Sequence, residues 1–212
     1  MPQKYDSIIF DLGGVLYDID LQRTKDAFAA LGLKDFDKFY TLKEQVALFD
    51  SLEKGFIDEA GFVNGINKIT NCDFSLDQVK KAWDALLVGM PAENVDLLRK
   101  LKNEGYQLYL LSNTNVFHYS CINNEMQEKF GLGSLDELFD NAYISYKMGM
   151  RKPDTEIYYK LMQNPDIDPA KSIFIDDNED NVNASIEAGI PAVHKSKSMS
   201  LIETLERWVL DA

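Results

Sequence analysis

In the second half of the chain, short apolar runs alternate with helical patterns, and this alternation restricts the fold more than any other feature of the sequence. The apolar runs lie at 106–111, 142–145, 172–175 and 191–194, and residues at helical spacing separate them. A further apolar run at 8–10 opens the chain. Strands and helices that alternate in this way form a parallel sheet covered by helices on both faces. The sequence therefore predicts an α/β fold.

A long helical segment follows the first strand. From residue 20 to residue 89 the apolar residues recur at helical spacing, and no strand is predicted. Ser75 and Gln78 have the spacing of a capping box that opens the last of these helices. Because a connection between a strand and a helix normally takes a handful of residues, we interpret the segment as a small helical domain inserted into the sheet domain. The aromatic residues predicted to form its core are Phe39, Tyr40, Phe49, Phe56 and Phe62.

Polar groups stand at the ends of three predicted strands. Because the carboxyl ends of parallel strands meet at one edge of the sheet, we expect these groups to converge although they are far apart in sequence. Lys152, in a loop between a glycine and a proline, can join them. The groups are Asp11 followed by Gly13 and Gly14, then Ser112 with Asn113, and then Asp176 with Asp177.

These residue types together suit phosphate chemistry. Clustered carboxylates repel one another unless a cation joins them, and aspartate oxygens are the hard ligands that Mg²⁺ prefers. A site with Mg²⁺, a lysine, a hydroxyl and backbone N–H groups can neutralise a phosphoryl group while one carboxylate attacks phosphorus. The sequence therefore predicts Mg²⁺ as cofactor and a small phosphorylated molecule as substrate.

Four segments in this order resemble the four motifs of the haloacid dehalogenase superfamily. They are Phe-Asp-Leu-Gly-Gly-Val-Leu at 10–16, Leu-Ser-Asn-Thr-Asn at 111–115, Gly-Met-Arg-Lys-Pro at 149–153 and Phe-Ile-Asp-Asp-Asn-Glu-Asp-Asn at 174–181. The Asp-Leu-Gly of the first motif is similar to that of a bacterial branch that includes α-glucose-1-phosphate phosphatases. The resemblance implies a Rossmann-like core domain formed by 1–18 and 90–212, and a helical cap domain at 19–89 that closes over the site.

The resemblance also implies a role for each motif in a phosphatase. Asp11 would be the nucleophile that forms an aspartyl-phosphate, and Lys152 would neutralise both Asp11 and the phosphoryl group. Ser112, together with the backbone of Asn113, would hold phosphate oxygens. These residues carry the predicted catalytic and phosphate-binding functions.

The predicted metal ligands come from the first and last motifs. Mg²⁺ would be held by Asp11, by the backbone carbonyl of Gly13 and by Asp177. Asp176 would be a further ligand or a supporting residue, and Asn181 falls where the family often has another polar residue that supports the metal.

The first motif departs from the family pattern at Gly13. Phosphatases of the superfamily usually carry a second aspartate there, which protonates the leaving group, and such acid–base catalysis contributes roughly 10²–10⁴-fold. A sugar 1-phosphate needs this proton less, because its anomeric oxygen is a better leaving group than an ordinary alcohol. Asp18 or Asp20 could replace the acid, although Asp20 is also placed to cap the first helix of the insert.

Several alternatives stay open at this point. A hydrolytic 2-haloacid dehalogenase also has a non-acidic residue at the position of Gly13, but it needs no cation and leaves the Asp176–Asp177 pair unexplained. A catalytically weak protein that uses the fold for binding is a second alternative. A mutase is a third alternative, but without the second aspartate it would lack its usual base. Arg151 either reaches a second anionic group of the substrate or is a surface charge.

The amino-acid composition restricts the classes of molecule that the protein is expected to bind. The chain has 212 residues, 45% of them hydrophobic, and a net charge of -13, which disfavours binding to nucleic acid or to anionic membranes. We expect a cytoplasmic protein without a membrane span or a secretory signal. The sequence does not distinguish a monomer from a dimer. The two cysteines, Cys72 and Cys121, are expected to be reduced, and His118 and His194 are expected to lie at the surface or the edge of the core, without a metal.

Overall fold

Five parallel strands form the central sheet of the computed structural model, which describes residues 4–33 and 43–210, with the backbone alone at 43–46. In chain order the strands are β1 (Ser7–Phe10), β2 (Asp18–Ile19), β3 (Leu87–Gly89), β4 (Gln107–Ser112), β5 (Asn141–Ile144), β6 (Ser172–Asp176) and β7 (Ala192–His194). The central sheet has the order β5-β4-β1-β6-β7, and β2 and β3 pair separately as a short antiparallel ribbon. The first strand thus lies in the middle, between β4 and β6.

Helices pack on both faces of the sheet, as the alternating pattern predicts. In chain order they are α1 (Leu21–Ala30), α2 (Lys43–Glu53), α3 (Glu59–Thr70), α4 (Leu76–Asp84), α5 (Ala92–Asn103), α6 (Val116–Phe130), α7 (Ser145–Met148), α8 (Thr155–Leu161), α9 (Glu179–Glu187) and α10 (Leu201–Leu205). Short 3₁₀ helices occur at Leu135–Leu138 and Pro169–Lys171, and a π-helical turn at Glu206–Leu210 extends α10.

The buried strand residues divide between the two faces with the period of two that a strand imposes. Ile8 and Phe10 of β1 belong to the cluster that contains residues of α5, α6 and α10. Ile9 belongs to the opposite cluster, with residues of α8 and α9. All three are fully buried, and each such side chain contributes about 1.5–3 kcal/mol of hydrophobic free energy. The predicted parallel α/β sheet is confirmed.

The helices α1 to α4 lie between β2 and β3 and share a cluster of their own, in which Phe62 and Trp83 are central. Asp20 caps α1, and Ser75 with Gln78 forms the predicted capping box of α4. Phe117 of α6 also belongs to this cluster, so the sheet part of the chain contributes one aromatic ring to the core of the insert. The boundaries 19–89 for a separate cap domain stay a prediction.

The insert departs from the sequence prediction at β3 and at Phe56. The ribbon strand β3 was not predicted, because three residues give no periodic signal. Phe56 was predicted in the core of the insert but is 68% exposed, since it lies in the turn after α2. Phe49 and Phe62 are buried as predicted, whereas Phe39 and Tyr40 lie outside the described residues.

Within the described part of the chain, no helix is long and apolar enough to cross a membrane.

Candidate active site

Two adjacent strands bring the carboxylates of the first and last motifs together. β1 and β6 are parallel neighbours, and the backbone N–H of Asp11 donates to the carbonyl of Ile175 at 2.9 Å. Asp176 and Asp177 follow at the same edge of the sheet. One oxygen from each of the three aspartates lies within 4.8 Å of the others. The convergence expected from parallel strand ends is therefore observed.

Lys152 is buried among these carboxylates. Its side chain is 1% exposed, and its Nζ lies 2.7 Å from Oδ1 of Asp11 and 2.6 Å from Oδ2 of Asp176. Burial acts to lower the pKa of Lys152, but the two carboxylates outweigh it and raise this pKa above its usual value. The lysine therefore keeps its positive charge at the centre of the site.

Two of these aspartates, Asp11 and Asp177, are destabilised in their charged form. Burial raises the pKa of Asp11, with a further contribution from the charge of Asp176, and Lys152 opposes this shift. Burial and the charge of Asp176 likewise raise the pKa of Asp177. Lys152 pairs directly with Asp11 and Asp176. Lys195 and Lys197 lower the pKa of Asp177 without forming an ion pair with it, so the three carboxylates are incompletely neutralised when all are ionised. A divalent cation supplies the missing charge.

Asp176 is the most extensively hydrogen-bonded of the three aspartates. Besides Lys152, its carboxylate accepts hydrogen bonds from the backbone N–H of Asn178 at 2.8 Å and from the side-chain amide of Asn181 at 3.1 Å. Asp177 is half-buried, and its carboxylate lies against the backbone of Gly14. The structure thus brings Asn181 to the carboxylate cluster through Asp176, and it leaves Asp177 with more freedom to take a ligand.

The two glycines of the first motif have different constraints. Gly14 has a φ of +74°, and a side chain there would clash with the Asp177 carboxylate. Gly13 does not lie in the left-handed region, and a Cβ at this position would meet the end of the Ile19 side chain at 3.2 Å. Glycine is therefore required at position 14 by the backbone and the neighbouring carboxylate, but at position 13 only a flexible side chain stands in the way.

The Ser-Asn motif lies beside the first motif. Ser112 ends β4 and is buried, and together with Gly13 and Asn113 it lines a cavity of about 80 Å³. The side chain of Asn113 has a role that the sequence did not reveal. It donates to the backbone carbonyl of Lys152 and accepts from the Lys152 backbone N–H, both at 2.8 Å. Asn113 therefore holds the backbone of the lysine loop.

The two aspartates considered as replacement acids lie elsewhere. Asp20 accepts from the backbone N–H of Gln22 as the cap of α1, as the capping alternative predicted. Asp18 is exposed in β2, opposite Gly89 of β3. Neither carboxylate belongs to the cluster formed by the three aspartates among the described residues.

Both histidines also lie outside this cluster. His118 was expected at the surface or the edge of the core but is buried, because it packs between α6 and α4 with its ring stacked on Trp83. Its Nε2 bonds to the Trp83 carbonyl at 3.1 Å, and burial lowers its pKa. His194 is exposed, and Cys72 and Cys121 are free thiols.

Comparison with known proteins agrees with this geometry. A model of the haloacid dehalogenase-like hydrolase family matches residues 5–189. The chain belongs to this family. The predicted superfamily is therefore confirmed.

Two named relatives and a solved structure indicate the kind of enzyme. The chain is 30% identical to D-ribitol-5-phosphate phosphatase from Bacteroides thetaiotaomicron over 183 residues, which cover 86% of this chain and 88% of the relative. It is 25% identical to a sesquiterpene phosphatase from Aspergillus oryzae over 213 residues, 99% of each chain. A solved structure of a HAD family enzyme from B. thetaiotaomicron, in complex with magnesium and inorganic phosphate, is 33% identical with a TM-score of 0.83, covering 92% of this chain and 96% of that one.

The predicted enzyme class, a phosphoric monoester hydrolase of this family, is confirmed by the family and by its named phosphatases. Mg²⁺ as cofactor is likewise confirmed at the level of the family, since solved neighbours contain magnesium. The donor set of this chain fits the ion on its own chemistry, because three hard carboxylates meet at one point with excess negative charge.

Proposed function

We propose that the protein is a Mg²⁺-dependent phosphatase that hydrolyses a small phosphorylated metabolite of the sugar or sugar-alcohol phosphate class through an aspartyl-phosphate. One observation carries the proposal. A buried aspartate at the end of the central strand is paired with a buried lysine beside two further aspartates. The groups proposed as nucleophile, counter-charge and metal ligands thus lie in one cluster.

In the proposed reaction Asp11 is the nucleophile. Its carboxylate oxygen forms a bond to phosphorus while the bond between phosphorus and the leaving oxygen breaks, and the leaving oxygen takes up a proton. A water molecule then attacks phosphorus, the bond between phosphorus and the Asp11 oxygen breaks, and inorganic phosphate and the free Asp11 carboxylate are released. The proton that the water loses balances the proton taken up by the leaving oxygen, so that ester and water give alcohol and phosphate. Lys152 stays charged throughout and reduces the repulsion between the Asp11 carboxylate and the phosphate anion. Ser112 and the backbone of Asn113 hold phosphate oxygens at the adjoining strand end.

Asp11, Asp177 and the carbonyl of Gly13 are the proposed ligands of Mg²⁺, with Asp176 as a supporting residue through Lys152 and Asn181. When bound, the ion supplies positive charge that offsets the carboxylates and the phosphoryl oxygens. The pKa values of Asp11 and Asp177 are raised without it, which agrees with a site that needs a cation to stabilise its charged form.

The proposed substrate class is supported by the relative that is named for a sugar-alcohol phosphate. The resemblance of the first motif to phosphatases of α-glucose 1-phosphate suggests a sugar 1-phosphate instead. These two substrates differ in the basicity of the leaving oxygen, and the missing acid at Gly13 makes that difference measurable. A substrate series that varies the basicity of the leaving oxygen therefore distinguishes the members of this class.

The experiment is a screen of phosphorylated metabolites with Mg²⁺, in which released phosphate is measured. We expect turnover of one or more sugar or sugar-alcohol phosphates, and we expect it to stop in excess chelator. Release of halide from 2-haloacids that persists in chelator, without phosphate release, would favour the dehalogenase. Absence of turnover on every ester, including an activated aryl phosphate, would favour the catalytically weak binding protein.

A further inference from the structure

The loop that carries Lys152 is paired with the helical insert on both sides of the lysine. Arg151 precedes Lys152, and Asp154 follows it by two residues. Both form ion pairs with residues at the end of α2 and the turn after it. The catalytic lysine therefore lies between two points at which the insert contacts its loop.

Arg151 makes the first of these contacts. Its Nη1 lies 3.3 Å from Oδ1 of Asp50, and its Nη2 lies 3.2 Å from Oε2 of Glu53. Its Nε donates to the backbone carbonyl of Lys152 at 3.3 Å, the same carbonyl that accepts from Asn113. The guanidinium thus links two carboxylates of the insert to the backbone of the catalytic residue.

Lys54 makes the second contact. Its Nζ lies 3.2 Å from Oδ2 of Asp154 and 3.4 Å from Oδ2 of Asp50. The next residue, Gly55, has a φ of +67°, and a side chain there would clash with the backbone carbonyl of Tyr146. The turn after α2 therefore lies directly against the backbone around Tyr146, and the same turn carries Lys54 beside the lysine loop.

The pair of Arg151 and Glu53 is a stronger candidate for a structural role than an ordinary surface ion pair. The side chains of Arg151 and Glu53 are 29% and 22% exposed, and Oε2 of Glu53 is buried and accepts no hydrogen bond, so Arg151 stabilises it by charge alone. Burial raises the pKa of Glu53, and the positive charge of Arg151 opposes that shift. Loss of the arginine would leave the Glu53 carboxylate without its ion-pair partner and with little contact to water, which destabilises a folded protein.

We propose that this network, formed by Asp50, Glu53 and Lys54 of the insert with Arg151 and Asp154 of the loop, positions Lys152 for catalysis. Arg151 is then a positioning residue and not a ligand for a second anionic group of the substrate. The inference rests on the proposed phosphatase function. It couples the docking of the insert to the chemistry, because α2 and Asn113 together hold the loop that carries Lys152.

The test compares Arg151→Gln, Glu53→Gln and the double variant, with an activated aryl phosphate and saturating Mg²⁺. We expect kcat to fall about 10- to 100-fold in each single variant, because small displacements of a catalytic group have effects of this size. KM should change little, and the double variant should be no slower than the slower single variant, since both changes break one linkage. Lys54→Gln, which removes only partly exposed pairs, should lower kcat in the same direction without unfolding the protein.

Lys171→Gln is the matched control, because it removes an exposed ion pair to Asp6 that lies 3.1 Å apart and away from the loop. It should leave kcat unchanged. The melting temperature of each variant is measured alongside, so that a loss of folded protein is not taken for a loss of kcat.

Two outcomes would contradict a positioning role for Arg151. If Arg151→Gln raises KM at constant kcat while Glu53→Gln has no effect, the arginine binds substrate and the inference is wrong. Additive losses of kcat in the double variant would also contradict it. A wild-type protein that hydrolyses no phosphate ester would refute the proposed function itself, and the inference with it.

Discussion

The negative charge of Asp11 is held in a place where water cannot stabilise it. The carboxylate is buried, a second carboxylate raises its pKa further, and Lys152 offsets only part of this effect. Such an anion is poorly solvated and therefore a better nucleophile than an exposed aspartate. The same environment explains why the residue needs both an ammonium and a cation to stay ionised.

Asp11→Asn removes this nucleophile with almost no change in shape. We expect phosphatase turnover to fall by at least about 10³-fold, because an amide cannot attack phosphorus. The melting temperature without metal should not decrease, since the lost charge was unfavourable in the folded protein. Asp73→Asn, at an exposed position in the insert, is the control and should retain full activity. Substantial turnover in Asp11→Asn would mean that another group is the nucleophile.

Gly13 offers a test of the missing acid. Its backbone accepts a side chain, and the end of Ile19, which is 43% exposed, can move aside. In the wild type, turnover should fall steeply as the leaving alcohol becomes more basic, so sugar 1-phosphates should react faster than sugar 6-phosphates. Gly13→Asp should flatten this dependence by supplying a proton, with gains within the roughly 10²–10⁴-fold of general acid catalysis for the poorest leaving groups.

The measurement is a plot of kcat/KM against the pKa of the leaving alcohol for both proteins. Gly14→Asp is the contrasting variant, because it places a side chain where the backbone and Asp177 exclude one, and it should lose activity or fold poorly. A flat plot for the wild type would show that another acid already serves. The explanation based on Gly13 would then be wrong, although the phosphatase assignment would stand.

At the scale of elements, sequence patterns located what parallel strands enforce and missed what depends on single long-range contacts. Asp11, Asp176 and Asp177 could be brought together from sequence because the ends of parallel strands converge. The hydrogen bonds between the Asn113 side chain and the Lys152 backbone could not be predicted from sequence, because a contact between residues 39 positions apart leaves no local pattern. The same holds for the contacts of Arg151, for which the sequence left two interpretations open.

The ribbon of β2 and β3, which carries the chain into and out of the insert, is held by one carboxylate of α6. Glu125 accepts from the hydroxyl of Tyr17, just before β2, and from the backbone N–H of Met90, just after β3, at 3.2 Å. These hydrogen bonds and Lys129 lower the pKa of Glu125 against the opposing effect of burial, so it acts as an anion.

Glu125→Gln should weaken the hydrogen bonds from Tyr17 and from the backbone of Met90. We expect the free energy of unfolding to fall by about 1.5–3 kcal/mol, as for hydrogen bonds to charged groups, measured by urea denaturation. Glu128→Gln, on the exposed side of the same helix, is the control and should change it by no more than about 0.5 kcal/mol. Equal stability of the two variants would show that Glu125 does not hold the ribbon.

Over the whole molecule, the carboxylates of the site make stability depend on pH and on Mg²⁺. Asp11 and Asp177 have raised pKa values in the folded protein. Stability from such groups is fully present below their unfolded pKa and is lost as the pH rises through the folded value. Without metal, these groups should therefore destabilise the protein progressively as the pH rises above the ordinary range of aspartate.

Mg²⁺ should reverse this trend, because it binds the ionised carboxylates of the folded chain and not the unfolded one. At a concentration about 100 times its Kd, it should stabilise the protein by ~2.7 kcal/mol, which corresponds to a rise of about 5–10 °C in melting temperature for a chain of this size. The rise should be larger at about pH 8 than at about pH 5, where protons compete with the metal. Asp177→Ala should lose most of the rise in melting temperature caused by Mg²⁺, whereas Asp166→Ala, at an exposed position, should show the full rise. A melting temperature that is independent of Mg²⁺ at both pH values would contradict the metal site, and it would do so without any reference to catalysis.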